Sequence, residues 1–229
     1  MKQAEWLKEK AKSREDIYCF LAAIYREELT AEQIRQMMEH GVPGLLVELG
    51  CDIESDFFTE QTPEQIEEAL ACEFAALFIG PGEHISPYES IYVPDSSGRV
   101  GYYWGECTVD MKNWVEHYSL KISDGFKSIP DHISVELEFM QRLVEQERMA
   151  WERGDEETAK RCMEVERRFF EKHLIKWIPA FCDKVMEKAE LDFYREVAKL
   201  TKSFIIQEYR DLLGKESRSS KHRNMPNTG

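Results

Sequence analysis

Apolar residues recur at helical spacing along most of the chain. Ile17, Phe20, Leu21 and Ile24 form one stripe, flanked by Tyr18, Ala22 and Tyr25, and they predict a first helix over about 5–28. Thr30 with Gln33 three residues on is a capping-box start, as is Thr62 with Pro63 and Gln65. In each, the threonine oxygen accepts a free amide while the glutamine reaches back to the cap's own N–H. Gly41, Pro43 and Gly44 between them read as a break. The stripe Ile66, Leu70, Phe74, Leu77 and Phe78 continues to a stop at Gly80-Pro81-Gly82. Helix resumes over about 108–120, breaks at Ser123-Asp124-Gly125, and restarts after Ser128-Ile129-Pro130-Asp131-His132 with Ile133, Leu137, Met140 and Val144 on one face, reaching Trp151. Gly154-Asp155 separates this from helices near 155–171, 174–188 and 190–213. Pro179 should bend the second of these or mark its first turn, because proline has no N–H to give. The pattern predicts an all-α, single-domain helical bundle of about eight or nine helices over 1–213, without internal repeats.

Residues 80–105, GPGEHISPYESIYVPDSSGRVGYYWG, are the one long stretch without helical period. Glycine, proline, serine and tyrosine dominate it, and 90–93 could pair with 100–104 as a small hairpin around Asp95-Ser96-Ser97-Gly98. A long loop in a domain of this kind is usually functional or poorly ordered, and the density of aromatic residues here argues for order. The final segment, 214–229, is polar and basic with little apolar content, and reads as a disordered tail.

Charge sharpens the picture. The chain has 229 residues and a net charge of −14. Without the tail the body holds 26 of the 30 bases and 43 of the 44 acids, a net of −17. That sign opposes unselective nucleic-acid binding, which depends on neutralising phosphates. It suits a solvated surface, or the attraction of a basic partner. The six cysteines, Cys19, Cys51, Cys72, Cys107, Cys162 and Cys182, show no metal-ligand spacing, and several lie in helical patterns as small hydrophobes. A reducing cytoplasm is the expected compartment. The opening MKQAEWLKEKAKSRED has no apolar core of a secretory signal, and no run is long enough for an integral membrane segment.

Motifs for small-molecule chemistry fail one by one. Gly80-x-Gly82 begins a dinucleotide fingerprint, but position 85 is Ile and no strand precedes it. Gly214-Lys215 lacks the first glycine of a phosphate-binding loop, since Tyr209 stands there. Asp95 to Glu106 has the length of a calcium loop, with Arg99 and Val100 at its fifth and sixth positions, where Asp or Asn and Gly belong. No histidine follows a Glu-x-x-His pattern, and no Ser or Cys sits in a nucleophile elbow. No catalytic residue, metal or cofactor is expected. Paired helical carboxylates acting in an enzyme, or a general helical scaffold, stay open as alternatives.

Segment order narrows the choice. Phe20-Leu21-Ala22-Ala23-Ile24-Tyr25-Arg26 comes first, then Glu73-Phe74-Ala75-Ala76-Leu77-Phe78-Ile79-Gly80-Pro81-Gly82 and Pro87-Tyr88-Glu89-Ser90-Ile91-Tyr92. Pro130-Asp131-His132-Ile133-Ser134-Val135-Glu136-Leu137-Glu138-Phe139-Met140, His173-Leu174-Ile175-Lys176-Trp177-Ile178-Pro179-Ala180-Phe181 and Phe193-Tyr194 follow. In this order they resemble the TorD/DmsD-like redox-enzyme maturation chaperones, related to the NarJ-like chaperones, over roughly residues 15–205. The resemblance implies an all-α cytoplasmic chaperone that binds the twin-arginine signal peptide of an unfinished molybdoenzyme precursor and delays export until the cofactor is inserted. It assigns peptide binding to Gly80, Pro81, Gly82, Pro87, Tyr88, Glu89, Ser90, Tyr92, Asp131 and His132. Tyr88 stands where some relatives carry Trp. It also implies a monomer or a domain-swapped dimer. Guanine nucleotide, attributed to some relatives, finds no phosphate-binding loop here.

Such a peptide is basic, then apolar, so its receptor needs carboxylates beside an aromatic groove. Asp131, Glu83 and Glu89 are the carboxylates near the loop, and Tyr88, Tyr92, Tyr102, Tyr103 and Trp104 the aromatics. Asp131 precedes a helix whose N-terminal dipole opposes a cation, so either it outweighs that dipole or it serves as a cap while contacts lie elsewhere.

Overall fold

A computed structural model describes the backbone of residues 2–118 and 129–223, and the side chains of 3–54, 56–118 and 129–213. The break expected at Ser123-Asp124-Gly125 lies outside the described residues.

Among the described residues the chain forms ten α-helices: α1 (Lys2–Arg26), α2 (Ala31–Glu39), α3 (Val42–Glu48), α4 (Ser55–Thr59), α5 (Pro63–Phe74), α6 (Glu106–His117), α7 (Ile133–Glu152), α8 (Glu156–Lys172), α9 (Leu174–Lys188) and α10 (Asp192–Arg223). The count exceeds the eight or nine that periodicity predicts because α3 and α4 are too short to show a stripe. α3 forms where a break is expected: Gly41 takes the left-handed conformation at its N-cap (φ 72°) and Pro43 sits in its first turn, where a missing N–H is harmless. Both capping boxes form, at Thr30 and Thr62. Pro179 lies inside α9 rather than at its start. α10 runs into the segment that composition marks as a tail, whose side chains are outside the described residues.

No strand occurs among the described residues, so the expected hairpin does not form. The physical reason is local. The Asp95 carboxylate accepts the amides of Ser97 and Arg99, each at 2.9 Å, and folds 95–99 into a side-chain-held turn that competes with a ladder. On its other side, Glu89–Ile91 is a short 3-10 helix. Among the described residues the one β-type pairing is an isolated antiparallel bridge between Tyr88 and His132.

α7 is the axis. It packs against α1 and α8, while α10 packs on α9. All nine residues from Ile133 to Gln141 are buried, so its first turns are enclosed on every side. Tyr18, Leu21 and Ile24 of α1, Phe139 of α7, Phe169 and Phe170 of α8, Trp177 and Phe181 of α9, and Phe193 and Tyr194 of α10 meet in one core. Deep in the bundle, Arg14 of α1 is buried with three carboxylates. Its Nε bonds Glu208 at 2.6 Å, and its two terminal nitrogens bond Glu147 at 2.5 Å and Glu166 at 2.6 Å. Burial pushes Glu166 up to about 7 despite the Arg14 charge.

Candidate functional site

The loop assigned to peptide binding begins where α5 widens. After Phe74 the helix takes a π turn over Ala75–Ile79, and the Gly80 amide bonds back to Ala75 O at 2.6 Å. A side chain on Gly80 would bring its Cβ to 3.0 Å from that same carbonyl, so the close return favours glycine. Pro81, Gly82 and Glu83 then run exposed. Ile85 is tied to Leu77 O through its amide at 2.7 Å, which brings the chain back onto the bundle.

From Pro87 the loop is bonded to the start of α7. Ile133 N donates to Pro87 O at 2.9 Å and Glu89 N to Asp131 O at 3.0 Å. The Asp131 side chain, fully buried, completes the junction: Oδ2 accepts Ser90 N at 3.0 Å and Oδ1 accepts Thr108 Oγ1 at 2.9 Å. Asp131 thus joins the loop, α6 and α7, and caps the 3-10 turn rather than its own helix. His132 caps α7 instead, its Nδ1 accepting Ser134 N at 3.2 Å. Burial, helped by the Arg26 charge, lowers His132 to about 3, so the imidazole is neutral.

The assigned residues divide into two groups. Pro87, Glu89, Ser90, Asp131 and His132 are buried and form the floor. Gly80, Pro81, Gly82, Tyr88 and Tyr92 are exposed or half-buried. Tyr88 stacks edge-on against His132 at 5.0 Å and against the exposed Tyr103 at 5.2 Å. Tyr92 turns inward, its hydroxyl donating to Ser86 O at 3.0 Å and its ring 5.4 Å from Trp177. Beside Tyr103 in sequence, Trp104 holds a positive φ of 62° and is 69% exposed. A left-handed tryptophan left in solvent is uncommon, and the position draws attention to the surface that carries it. That surface includes the exposed Val109 and edges an open cleft of about 440 Å³ lined by Asp95, Arg99, Tyr102, Glu106 and Asp110 among others.

Of the three carboxylates that sequence placed near the loop, only Glu83 is exposed. Glu89 is buried and bonded to His173 Nδ1 at 2.7 Å. In the cleft, Asp95 is paired with Arg99 at 2.9 Å, and Asp110 with Lys172 at 2.8 Å. Glu106 is exposed and takes the Ser96 amide at 3.0 Å.

Behind the loop lies a group that sequence reading missed. Glu136 of α7 is fully buried, and Oε2 accepts Trp177 Nε1 at 2.9 Å. Burial, and then the neighbouring Glu89 carboxylate, push Glu136 well above the ordinary range. His173, between α8 and α9, also lies 3.0 Å from Asp110 Oδ2 through Nε2. Burial would depress His173, but Asp110 and Glu89 outweigh it and raise the imidazole above its usual value. One signal was present in the sequence: Glu136 stands three residues after Ile133 and four before Met140, on the apolar face.

Exposed aromatic side chains thus stand beside a cleft whose lining combines Asp95, Glu106 and Asp110 with Arg99. The family described as nitrate reductase delta subunit matches residues 28–183. The chain is 30% identical to a protein named chaperone protein TorD from Photobacterium profundum, over 89% of this chain and 95% of that protein. It is 27% identical to a TorD of Vibrio atlanticus, over 83% and 90% respectively, and 27% identical to one of Aliivibrio fischeri, over 88% and 95%. The chain belongs to the nitrate reductase delta subunit family, among its TorD-type chaperones. The family is non-enzymatic, which sets aside the paired-carboxylate enzyme. No helix among the described residues is long and apolar enough to cross a membrane.

Proposed function

We propose that this protein is a cytoplasmic chaperone that binds the twin-arginine signal peptide, and the unfinished form, of a molybdenum-cofactor oxidoreductase, delaying its export until the cofactor is inserted. The observation that carries this reading is the aromatic edge formed by the half-buried Tyr88 and the exposed Tyr103 and Trp104 next to an acidic cleft. The apolar stretch of the peptide buries against the edge, and its arginines meet carboxylates at the rim, with Glu83 and Glu106 the accessible ones. Asp131, His132, Glu89 and Ser90 act from beneath by fixing the loop, and Gly80–Gly82 form its lip.

Calorimetric titration with a twin-arginine leader peptide tests this. Trp104→Ser should weaken binding by about 2 kcal/mol, roughly thirtyfold, as expected for an exposed aromatic that becomes a central contact. Replacing both peptide arginines by lysine keeps the charge and loses the bidentate fork, so it should also weaken binding. Binding should decline with salt without vanishing. A Trp104→Ser protein that binds the leader as tightly as the wild type would overturn the assignment of this surface.

A further inference from the structure

Beneath the loop, Glu89, Glu136 and His173 each present a ligand atom within 4.8 Å of the other two, and all three side chains are buried. They come from separate elements: the 3-10 turn, the first turn of α7 and the junction of α8 and α9. Among the described residues no N–H or hydroxyl donor reaches Glu136 Oε1, although the residue is 0% exposed, and the group within hydrogen-bonding reach of Glu136 on that side is another acid, Glu89. An orphaned carboxylate oxygen in such a place calls for an explanation. Charge points the same way. Three carboxyl groups, Glu89, Glu136 and Asp110, gather around one imidazole, and a fourth, Asp131, stands close enough to Glu136 to raise it further while itself bonded to neutral donors.

We propose that Glu89, Glu136 and His173 form a binding site for one divalent first-row transition cation of the zinc type. Two carboxylates and one imidazole are ligands that zinc accepts, with bonds of about 2.0–2.2 Å. Tetrahedral ligands at that length stand roughly 3.3 Å apart, so small side-chain rotations from the present spacing suffice. The imidazole ligand and the low ligand number disfavour calcium and magnesium, which take six or more oxygens or keep much of their water. Glu89 and His173 border a cleft of about 290 Å³ that also includes Cys107, Glu106 and Asp110, with Glu136 behind them. Lys172 and Lys176 stand at the same cleft, balanced by Glu106 and Asp110. Trp177 holds Glu136 from behind, as an outer-shell donor does for a ligating carboxylate. The candidate ligands Glu136 and His173 have no part in the proposed peptide surface, whereas Glu89 also supports the loop from beneath and Glu106 and Asp110 border both clefts.

The experiment is titration of the chelator-treated, full-length protein with cobalt(II), followed by its visible absorption, then displacement by zinc. One equivalent should bind and give a spectrum without a thiolate-to-cobalt charge-transfer band. Glu136→Gln retains shape and the Trp177 bond but removes the ligand, so affinity should fall beyond the roughly 10–100-fold loss typical of an outer-shell change. His173→Gln provides a second ligand deletion, and circular dichroism verifies that each variant is folded. Zinc should raise the melting temperature of the wild type and leave that of Glu136→Gln unchanged. A double Cys19→Ser, Cys72→Ser protein, lacking the two exposed thiols, should bind as the wild type does. The proposal fails if no stoichiometric cobalt binds, if both folded ligand variants retain wild-type affinity, or if the spectrum reports thiolate ligation.

Discussion

Asp131→Ala tests the claim that this carboxylate is a joint rather than a contact for the peptide. The substitution removes the acceptor for Ser90 N and for Thr108 Oγ1, both in residues almost wholly buried. Each stranded buried donor costs about 1–3 kcal/mol, so the two together cost about 2–6 kcal/mol. Relief from burying a charge offsets part of this, and about 3 kcal/mol is the expected net loss. Asp131→Asn retains one acceptor, and the Thr108 hydroxyl can rotate to accept from the new amide, so about 1–2 kcal/mol should be lost. Equilibrium urea unfolding measures these differences, and hydrogen exchange at the Ser90 amide locates them. Thr108→Val removes one of the stranded donors in advance. The double variant Asp131→Ala, Thr108→Val should therefore cost at least about 1 kcal/mol less than the sum of the singles. A loss under about 1 kcal/mol for Asp131→Ala, with Ser90 exchange unchanged, would refute the joint.

Two further outcomes are expected. His132 is held near 3 in the fold against an ordinary value of 6.5, so below 6.5 the unfolded chain takes a proton that the folded chain refuses. Stability should fall as pH drops from 6.5 towards 3, by about 2 kcal/mol at pH 5, and His132→Asn should flatten that part of the profile in denaturant titrations. Removing Arg14 leaves Glu147, Glu166 and Glu208 buried without their cation, so Arg14→Met should lose about 3–5 kcal/mol at neutral pH, while Glu166→Gln, close to the half-protonated native group, should lose under about 1 kcal/mol in the same assay.

The sequence by itself determined the helical class, because 3.6-residue stripes such as Ile133, Leu137, Met140 and Val144 express burial on one face and need no knowledge of the partner. It also determined the helix starts at Thr30 and Thr62, whose capping bonds close within four residues. It marked the loop at 80–105 and, through segment order, the family. The tertiary structure alone decided what each loop residue does. Asp131 and Glu89 look like surface acids when read along the chain, yet the bundle buries both. Their partners Thr108 and His173 lie 23 and 84 residues away, at separations no local pattern encodes. The hairpin expectation failed for a related reason: 90–93 and 100–104 have strand-like composition, but the Asp95 carboxylate captures the turn amides and the neighbouring chain bonds to α7 instead. Periodicity reports how much of a side chain is buried. Which polar atom it meets there depends on the packing of distant helices, and that is settled only when the chain has folded.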